Sequence, residues 1–369
     1  LQDLLGLDFD FTRDLPPETH SEDGFENSSE MLQMSVMQLE TYRQIVRTAL
    51  GKATVAGERP DMLYYGLPMS AVADKIRGKR KAEVQERNTH FINLETGHGI
   101  QSSFAYHGGK QSHLPSTTLP ETPPLQSTVL VIPPGRDQRI DLSNQLPERG
   151  FLRVRIRAAR SSSEAPSPPA LRLKFGYQPS NDSRTSVRVD QRDVPITAPP
   201  NQPQFYQWDI PLTEIPRNPY RSLTQLGDLP NPTEYLILEN IYTGRGTAPE
   251  ASLQIDYIEV STPVYEQWPP KSHTQIFHPS ENVANERVYA REVLSRFLPR
   301  AWRRAVTRAE LEQPLALFAR LRPQCEDFQE AMLEVLSTLL ASPKFLYVVQ
   351  EAPRPDATQQ DATQQDATQ

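Results

Sequence analysis

The chain has 369 residues, of which 37% are hydrophobic and 23% are charged, and this length favours two or three domains. Its net charge of −7 argues against binding to nucleic acid or to an anionic membrane surface. No apolar run reaches the roughly 18 residues of a membrane-spanning helix. Cys325 is the single cysteine, which excludes an internal disulfide framework, a cysteine-based zinc site and covalent attachment of a c-type haem to this chain.

The N-terminal region, residues 1–95, is predicted to form a helical domain. Ser35 and Gln38 have the spacing of a capping box. Apolar residues then recur at steps of three and four, so the helix that begins here is predicted to end at Gly51. A second, more charged helix is predicted over residues 69–87.

The middle of the chain changes to a different pattern. Residues 96–126 are rich in glycine, serine, threonine and proline and are predicted to be a loop or linker. Over residues 127–265, at least seven short runs alternate apolar and polar side chains between turns of proline, glycine, asparagine and aspartate. The clearest run alternates apolar residues with arginines, from Leu152 to Ala158. This pattern predicts an antiparallel β-sandwich of the jelly-roll, carbohydrate-binding-module type, with one face of each sheet buried.

The C-terminal region, residues 277–350, is predicted to be a second helical domain. Thr307 and Glu310 form a capping box that opens one of its helices. Residues 351–369 repeat a polar five-residue unit, so we expect a disordered tail. The predicted fold class is therefore α+β with several domains, in which helical segments flank the sandwich on both sides.

Motifs for nucleotide binding, for zinc or calcium binding and for nucleophilic catalysis do not occur in the sequence. His98, His107 and His113 share one glycine-rich loop, but no rigid element orders them as metal ligands, so surface histidines are the favoured interpretation. Cys325 has no basic neighbour that would activate its thiol. We therefore predict no cofactor-binding and no metal-binding residue in this chain.

Two groups of carboxylates leave enzymatic activity open. Four acidic residues lie close together near the N-terminus: Asp8, Asp10, Asp14 and Glu18. Asp256 and Glu259 lie on the last run of the predicted sandwich. Glycosidase chemistry requires two carboxylates that face each other across a cleft, whereas capping and turn positions are the commoner role. We predict no catalytic residue.

Aromatic residues of the predicted sandwich offer a route to ligand binding, because the C–H face of a sugar packs on a flat ring. Alternation places Trp208 on the same side as Ile210, which indicates a core position. Tyr220 and Tyr242 are better placed for loops or an outer face. These two tyrosines are the predicted ligand-binding residues.

Three stretches of the sequence resemble one protein family. They are residues 3–27, with the runs DLLGLD and GFEN; residues 255–270, with IDYIEV and WPP; and residues 301–347, with AWRRAVT and LLASPKFLY. In this order they resemble planctomycete cytochrome-c-associated multidomain proteins of unknown function. The resemblance covers most of residues 1–350. Because the chain starts at Leu1 within a helix-like pattern, we expect an internal piece of such a protein.

The resemblance implies an exported protein, periplasmic or on the cell surface, whose haem c lies in an upstream module outside this chain. The expected partners are other domains of the same polypeptide and a polysaccharide. The leading hypothesis is a non-catalytic scaffold or binding portion of a redox-linked protein, with the sandwich binding polysaccharide. The alternatives are a part of an electron-transfer haem protein and a glycan-active hydrolase that uses the carboxylate groups.

Overall fold

A computed structural model of the chain describes residues 1–7, 36–76, 84–102, 113–165, 167–178, 185–219, 233–241 and 251–346. The helices are, in chain order, α1 (Gln2–Leu5), α2 (Val36–Ala53), α3 (Met69–Ile76), α4 (Lys271–Thr274), α5 (Glu286–Trp302), α6 (Arg308–Leu321), α7 (Phe328–Leu340) and α8 (Pro343–Leu346). The strands are β1 (Leu63–Pro68), β2 (His90–Asn93), β3 (Gly99–Gln101), β4 (Thr128–Ile132), β5 (Asp137–Ser143), β6 (Phe151–Arg160), β7 (Ala170–Gln178), β8 (Thr185–Arg188), β9 (Val194–Pro195), β10 (Gln204–Pro211), β11 (Thr233–Ile241) and β12 (Leu253–Val264).

These elements form two compact units. The helical unit combines Leu1–Gly57 with Pro269–Gln369, and the two-sheet unit is Glu58–Trp268. The second unit is thus inserted in the sequence of the first. Among the described residues, no helix is long and apolar enough to cross a bilayer.

The helical unit has one apolar core to which both of its chain segments contribute. Leu5 and Leu50 of the N-terminal segment belong to the same buried cluster as Val293 and Leu336. The Thr307 hydroxyl accepts a hydrogen bond from the Glu310 amide, and the Glu310 side chain accepts one from the Thr307 amide, so the predicted capping box is confirmed. These contacts leave few unsatisfied donors at the start of α6.

The two-sheet unit contains two antiparallel sheets. The first has the order β10-β6-β12-β4-β2-β3, with β1 also paired to β12, and the second has the order β5-β11-β7-β8, with β9 paired to β7. One buried cluster holds the inward side chains of both sheets, such as Val154 and Ile258 of the first and Leu173 and Leu236 of the second. The predicted α+β class and the antiparallel alternating strands are therefore confirmed.

The structure draws the domain boundaries differently from the sequence. Within residues 1–95, predicted to be helical, β1 and β2 are strands of the first sheet, and β3 lies within the predicted linker 96–126. These three strands are short, so their sequences carry little alternation. They are strands because each has a hydrogen-bonding partner: β1 pairs with β12, β2 pairs with β4, and β3 pairs with β2. The predicted tail, residues 351–369, lies outside the described residues.

Candidate functional site

The outward face of the first sheet carries a row of three arginines along β6. Strand alternation buries Leu152, Val154 and Ile156 in the core, so the arginines between them point away from it. Each arginine binds a carboxylate on a neighbouring strand: Arg153 with Asp209 at 2.7 Å, Arg155 with Glu259 at 3.0 Å, and Arg157 with Asp256 at 2.6 Å. The pairs become more buried along the row, because Asp209 is half-exposed whereas Asp256 is buried.

Asp256 lies on the outward face of the first sheet, at a bulge of β12. The pairing with β6 shifts between Ile255 and Tyr257, which leaves Asp256 as the extra residue, and such bulges redirect side chains. Its two carboxylate oxygens accept hydrogen bonds from Nε and Nη2 of Arg157 at 2.8 and 2.6 Å. This two-point contact is the strong form of an arginine–carboxylate pair.

The Arg157–Asp256 pair also fixes the chain segment that precedes β4. The guanidinium of Arg157 donates to the carbonyl oxygens of Pro123 and Pro124 at 2.8 and 3.0 Å, and Asp256 accepts from the amide of Gln126 at 3.1 Å. Proline leaves this segment without amide donors of its own at two positions. The ion pair therefore provides most of the polar contacts that hold residues 123–126 against the sheet.

A cavity of about 110 Å³ opens beside this ion pair. Its floor is the outward face of three adjacent strands and consists of Val129, Ala159, Gln254 and Asp256. Its walls come from three separate connections and consist of Leu94, Leu125, Gln126, Asn201 and Pro203. The volume is several times the roughly 10–15 Å³ that one water requires, so the cavity can admit a small ring.

The position of Asn201 in the wall follows from a local turn. Pro199, Pro200 and Asn201 are followed by Gln202, whose amide donates to the Pro199 carbonyl at 3.2 Å, and Asn201 has a φ of 62°. Proline at the second and asparagine at the third position of a turn is the signature of type II. The turn therefore fixes the backbone that carries the Asn201 amide at the cavity.

Two amide side chains of the cavity remain available for a ligand. Within the part of the chain that the structure describes, the side chains of Asn201 and Gln254 make no hydrogen bond. Each offers an acceptor oxygen and two donor hydrogens. With the Asp256 carboxylate and the aliphatic walls, the cavity combines apolar contact with both donors and acceptors, which suits a compact hydroxylated ligand.

Aromatic rings near the cavity are covered by protein groups. The guanidinium of Arg155 lies 4.3 Å from the ring centroid of Phe205. Tyr257 is buried, its hydroxyl has no hydrogen-bond partner, and burial, with a smaller contribution from the charge of Glu259, raises the pKa of Tyr257. These rings stabilise the sheet face and do not form an open stacking platform. The predicted ligand-binding residues Tyr220 and Tyr242 lie outside the described residues.

Two further buried ion pairs lie elsewhere in the two-sheet unit. Arg217 binds both carboxylate oxygens of Glu234 at 2.9 and 3.1 Å, and Glu234 is fully buried. Arg139 binds Asp141, and its guanidinium lies 3.8 Å from the ring centroid of Tyr235. Burial raises the pKa of Asp141 despite this arginine. Because neither pair lines the cavity, we assign both to the stability of the second sheet.

The other predicted candidates do not come together in the structure. His98 is exposed and His113 is buried, whereas His107 lies outside the described residues. In the ranges that the structure covers, no three histidine, cysteine or acidic side chains are close enough to hold a metal ion. Burial raises the pKa of the Cys325 thiol, which disfavours the reactive thiolate. The N-terminal acidic group, Asp8, Asp10, Asp14 and Glu18, lies outside the described residues.

Glu259 and Asp256, the second carboxylate pair, are each bound to a different arginine. Their roles follow from strand register: Glu259 lies opposite Arg155, and Asp256 occupies the bulge beside Arg157. Alternation in β6 identifies the arginines from the sequence alone. Their partners and the amides of Asn201 and Gln254 become visible only once the register is known.

Comparison with known proteins gives two family matches, both within the helical unit. Residues 1–55 match the family described as "PSD3: Protein of unknown function (DUF1587)" and residues 289–350 match "PSD5: Protein of unknown function (DUF1595)". No curated protein matches the chain. In the structure, the two matched segments share one apolar core.

Two solved structures show weak similarity. The Agl-KA catalytic domain is 9% identical with a TM-score of 0.22, and the match covers 39% of this chain and 23% of that chain. The Desmodium yellow mottle tymovirus structure is 10% identical with a TM-score of 0.13, and the match covers 41% of this chain and 95% of that chain. At these TM-scores neither similarity bears on fold or function. The chain thus contains segments that match two families of unknown function, which together build its helical unit.

Proposed function

We propose that the chain is a non-catalytic binding and scaffold portion of a longer protein, and that its two-sheet unit binds carbohydrate at the cavity beside Asp256. The observation that carries this proposal is the composition of the cavity: uncommitted amides at Asn201 and Gln254 and the Asp256 carboxylate, set among aliphatic walls. Sugar rings need both contacts, because their hydroxyls require donors and acceptors while their C–H faces favour apolar surface. Leu94 and Leu125 supply the exposed part of that apolar surface.

A non-catalytic role is supported by the state of the carboxylates. Asp256 already accepts three hydrogen bonds, and Glu259 is held by Arg155. Both carboxylates are therefore already committed to donors of the protein, which suits a fixed hydrogen-bond acceptor better than a group that must exchange a proton with a substrate. The geometry therefore favours recognition over glycoside hydrolysis.

The wider context that we propose is an exported, redox-linked protein with a jelly-roll module of the carbohydrate-binding type. It is supported by the two matched families, whose resemblance to cytochrome-c-associated proteins suggested it. Electron transfer would then belong to a haem module outside this chain. Absorption spectroscopy tests this division: the purified chain incubated with haem should show no stoichiometric Soret band, and one that appears would contradict it.

Affinity electrophoresis in gels that contain xylan, glucomannan, laminarin, polygalacturonate or chondroitin sulfate tests carbohydrate binding directly. We expect retardation of the wild-type chain by at least one glycan. Gln254→Ala should reduce the retardation at least fivefold, whereas the matched control Gln207→Ala, on β10 and away from the cavity lining, should leave it unchanged. Migration that no glycan alters would remove the carbohydrate proposal.

A further inference from the structure

The charge balance of the cavity restricts what it can hold. Among the residues that the structure describes, Asp256 is the one ionisable residue of the lining, and Arg157 neutralises it through two hydrogen bonds. The donors of Arg157 are directed to Asp256, Pro123 and Pro124. A charged ligand would lose water in the cavity and meet no uncommitted opposite charge in the described part of the lining, which is unfavourable. A neutral hydroxylated ligand loses water at lower cost, since the amides of Asn201 and Gln254 can replace it.

The walls restrict the ligand further. Leu94 follows β2, Leu125 and Gln126 precede β4, and Asn201 and Pro203 lie between β9 and β10. Three separate connections therefore rise around a floor formed by β4, β12 and β6. A sugar in the middle of a polysaccharide must continue in two directions and would need a groove open at both ends. A sugar at the end of a chain needs one exit.

We infer, building on the proposed carbohydrate function, that the cavity selects a neutral sugar at the end of a glycan chain and that the Asp256–Arg157 pair determines this selectivity. Asp256 contacts the ligand as an acceptor. Arg157 is a positioning residue, because it orients Asp256 and holds the wall segment 123–126 in place. Removing either partner changes the charge of the cavity by one unit.

Charge substitutions test the role of the pair. Asp256→Asn leaves the Arg157 guanidinium without its counter-charge, so the ratio of binding to methyl glucuronide over methyl glucoside should rise at least tenfold, measured by calorimetry. The double variant Arg157→Gln with Asp256→Asn removes both charges and should return the ratio to the wild-type value. Asp209→Asn, which breaks the equivalent pair with Arg153 on the same face, is the matched control and should leave the ratio unchanged.

A merely structural role would weaken binding of both sugars equally and leave the ratio constant. A folded Asp256→Asn variant with an unchanged ratio would therefore overturn the selectivity role. If this variant fails to fold, the selectivity for a neutral sugar is tested on the wild-type protein. It should bind methyl glucoside at least tenfold more tightly than methyl glucuronide. Equal affinities for the two would contradict the inference while leaving carbohydrate binding intact.

Chain-end selection has its own test. Partial hydrolysis of a polysaccharide that retards the protein multiplies its chain ends without changing its mass. The hydrolysate should compete at least fivefold better per unit mass than the intact polymer. Competition that weakens as the chains shorten would show internal recognition and contradict chain-end selection. If the wild-type protein binds no glycan at all, the proposed carbohydrate function itself is contradicted.

Discussion

The two-sheet unit buries some of its arginine–carboxylate pairs, whereas the helical unit holds comparable pairs at its surface. In the helical unit, the pairs lie at the surface: Arg322–Glu286 is 29% and 40% exposed, and Arg291–Glu312 is 40% and 51% exposed. In the two-sheet unit, Arg157–Asp256 is 8% and 4% exposed, and Glu234 beside Arg217 is fully buried. Exposed pairs contribute little to stability, whereas buried ones are costly to break.

This difference indicates which unit carries the ligand-binding cavity. The helical unit has an apolar core that needs no buried charge to define it. The two-sheet unit instead contains desolvated charges, and these fix neighbouring connections of the chain. Arg157 holds residues 123–126, and Arg217 donates to the carbonyl oxygens of Leu146 and Pro147. Fixed connections are what a binding cavity requires.

The largest effect is expected at the most buried carboxylate. Arg217→Ala leaves the Glu234 carboxylate buried without its main counter-charge, so the free energy of unfolding of the two-sheet unit should fall by about 3–5 kcal/mol. Arg322→Ala, at an exposed pair, should lower the stability of the helical unit far less. Urea denaturation of both variants checks the contrast. Similar losses of stability in the two variants would contradict the expected difference between buried and exposed ion pairs.

A large effect is also expected where the two family-matched segments meet. Leu5 is fully buried in the core that contains Val293 and Leu336, so Leu5→Ala should destabilise the helical unit by about 2–5 kcal/mol. Hydrogen exchange should then accelerate in α5 and α7, which lie more than 280 residues away in the sequence.

The control for this prediction is Leu39→Ala, at a position of α2 that is 40% exposed, and it should change the stability by less than about 0.5 kcal/mol. Unaltered exchange in α5 and α7 after Leu5→Ala would show that the segments matched by the two families fold separately. It would also remove the reason for treating residues 58–268 as an insertion.

The stability of the two units should also depend on pH in different ways, with a smaller effect. Burial lowers the pKa of His273, whose Nδ1 accepts a hydrogen bond from the Val55 amide at 3.2 Å. Burial, followed by the charge of Arg296, lowers the pKa of His278, although Glu292 opposes this. Below pH 6.5 the unfolded chain therefore binds more protons than the folded chain, so stability falls as the pH falls from 6.5 towards the lowered pKa values.

Protonation of His273 removes its hydrogen bond from the Val55 amide, so we expect the free energy of unfolding of the helical unit to fall by about 0.5–1.5 kcal/mol. Hydrogen exchange of peptides from α5 and α7 at pH 7.5, 6.5 and 5.5 measures it. The double variant His273→Gln with His278→Gln should lose this dependence above pH 5.5, because hydrogen bonds, that of Arg304 first, hold the pKa of Glu310 well below this range. In the two-sheet unit, the pH dependence is expected on the alkaline side. Burial raises the pKa of Tyr65, so the unfolded chain loses this proton first and the stability should decline above pH 10.

The sequence was sufficient for features that depend on local pattern. Alternation located β4, β6, β7 and β12, and the capping box located the start of α6. It was insufficient for β1 and β2, whose strand character comes from pairing with distant residues. The cavity was missed for the same reason, because Leu94, Asn201 and Gln254 are brought together by register and by one bulge. The aromatic content of the sequence favours tyrosines as ligand-binding residues, whereas the side chains available in the cavity are the amides of Asn201 and Gln254.

The smallest effect concerns the exposed pair Arg291–Glu312, joined at 2.9 Å between α5 and α6. Glu312→Gln should lower the stability of the helical unit slightly at low salt, and this loss should largely disappear at 1 M NaCl, where the screening length is about 3 Å. The Arg157–Asp256 pair is shielded from ions by its burial, so the cost of Asp256→Asn should change little with salt. Urea denaturation of both variants at the two salt concentrations measures this. A salt-independent cost at Glu312, or a strongly salt-dependent one at Asp256, would contradict this contrast between an exposed pair of the helical unit and a buried pair of the two-sheet unit.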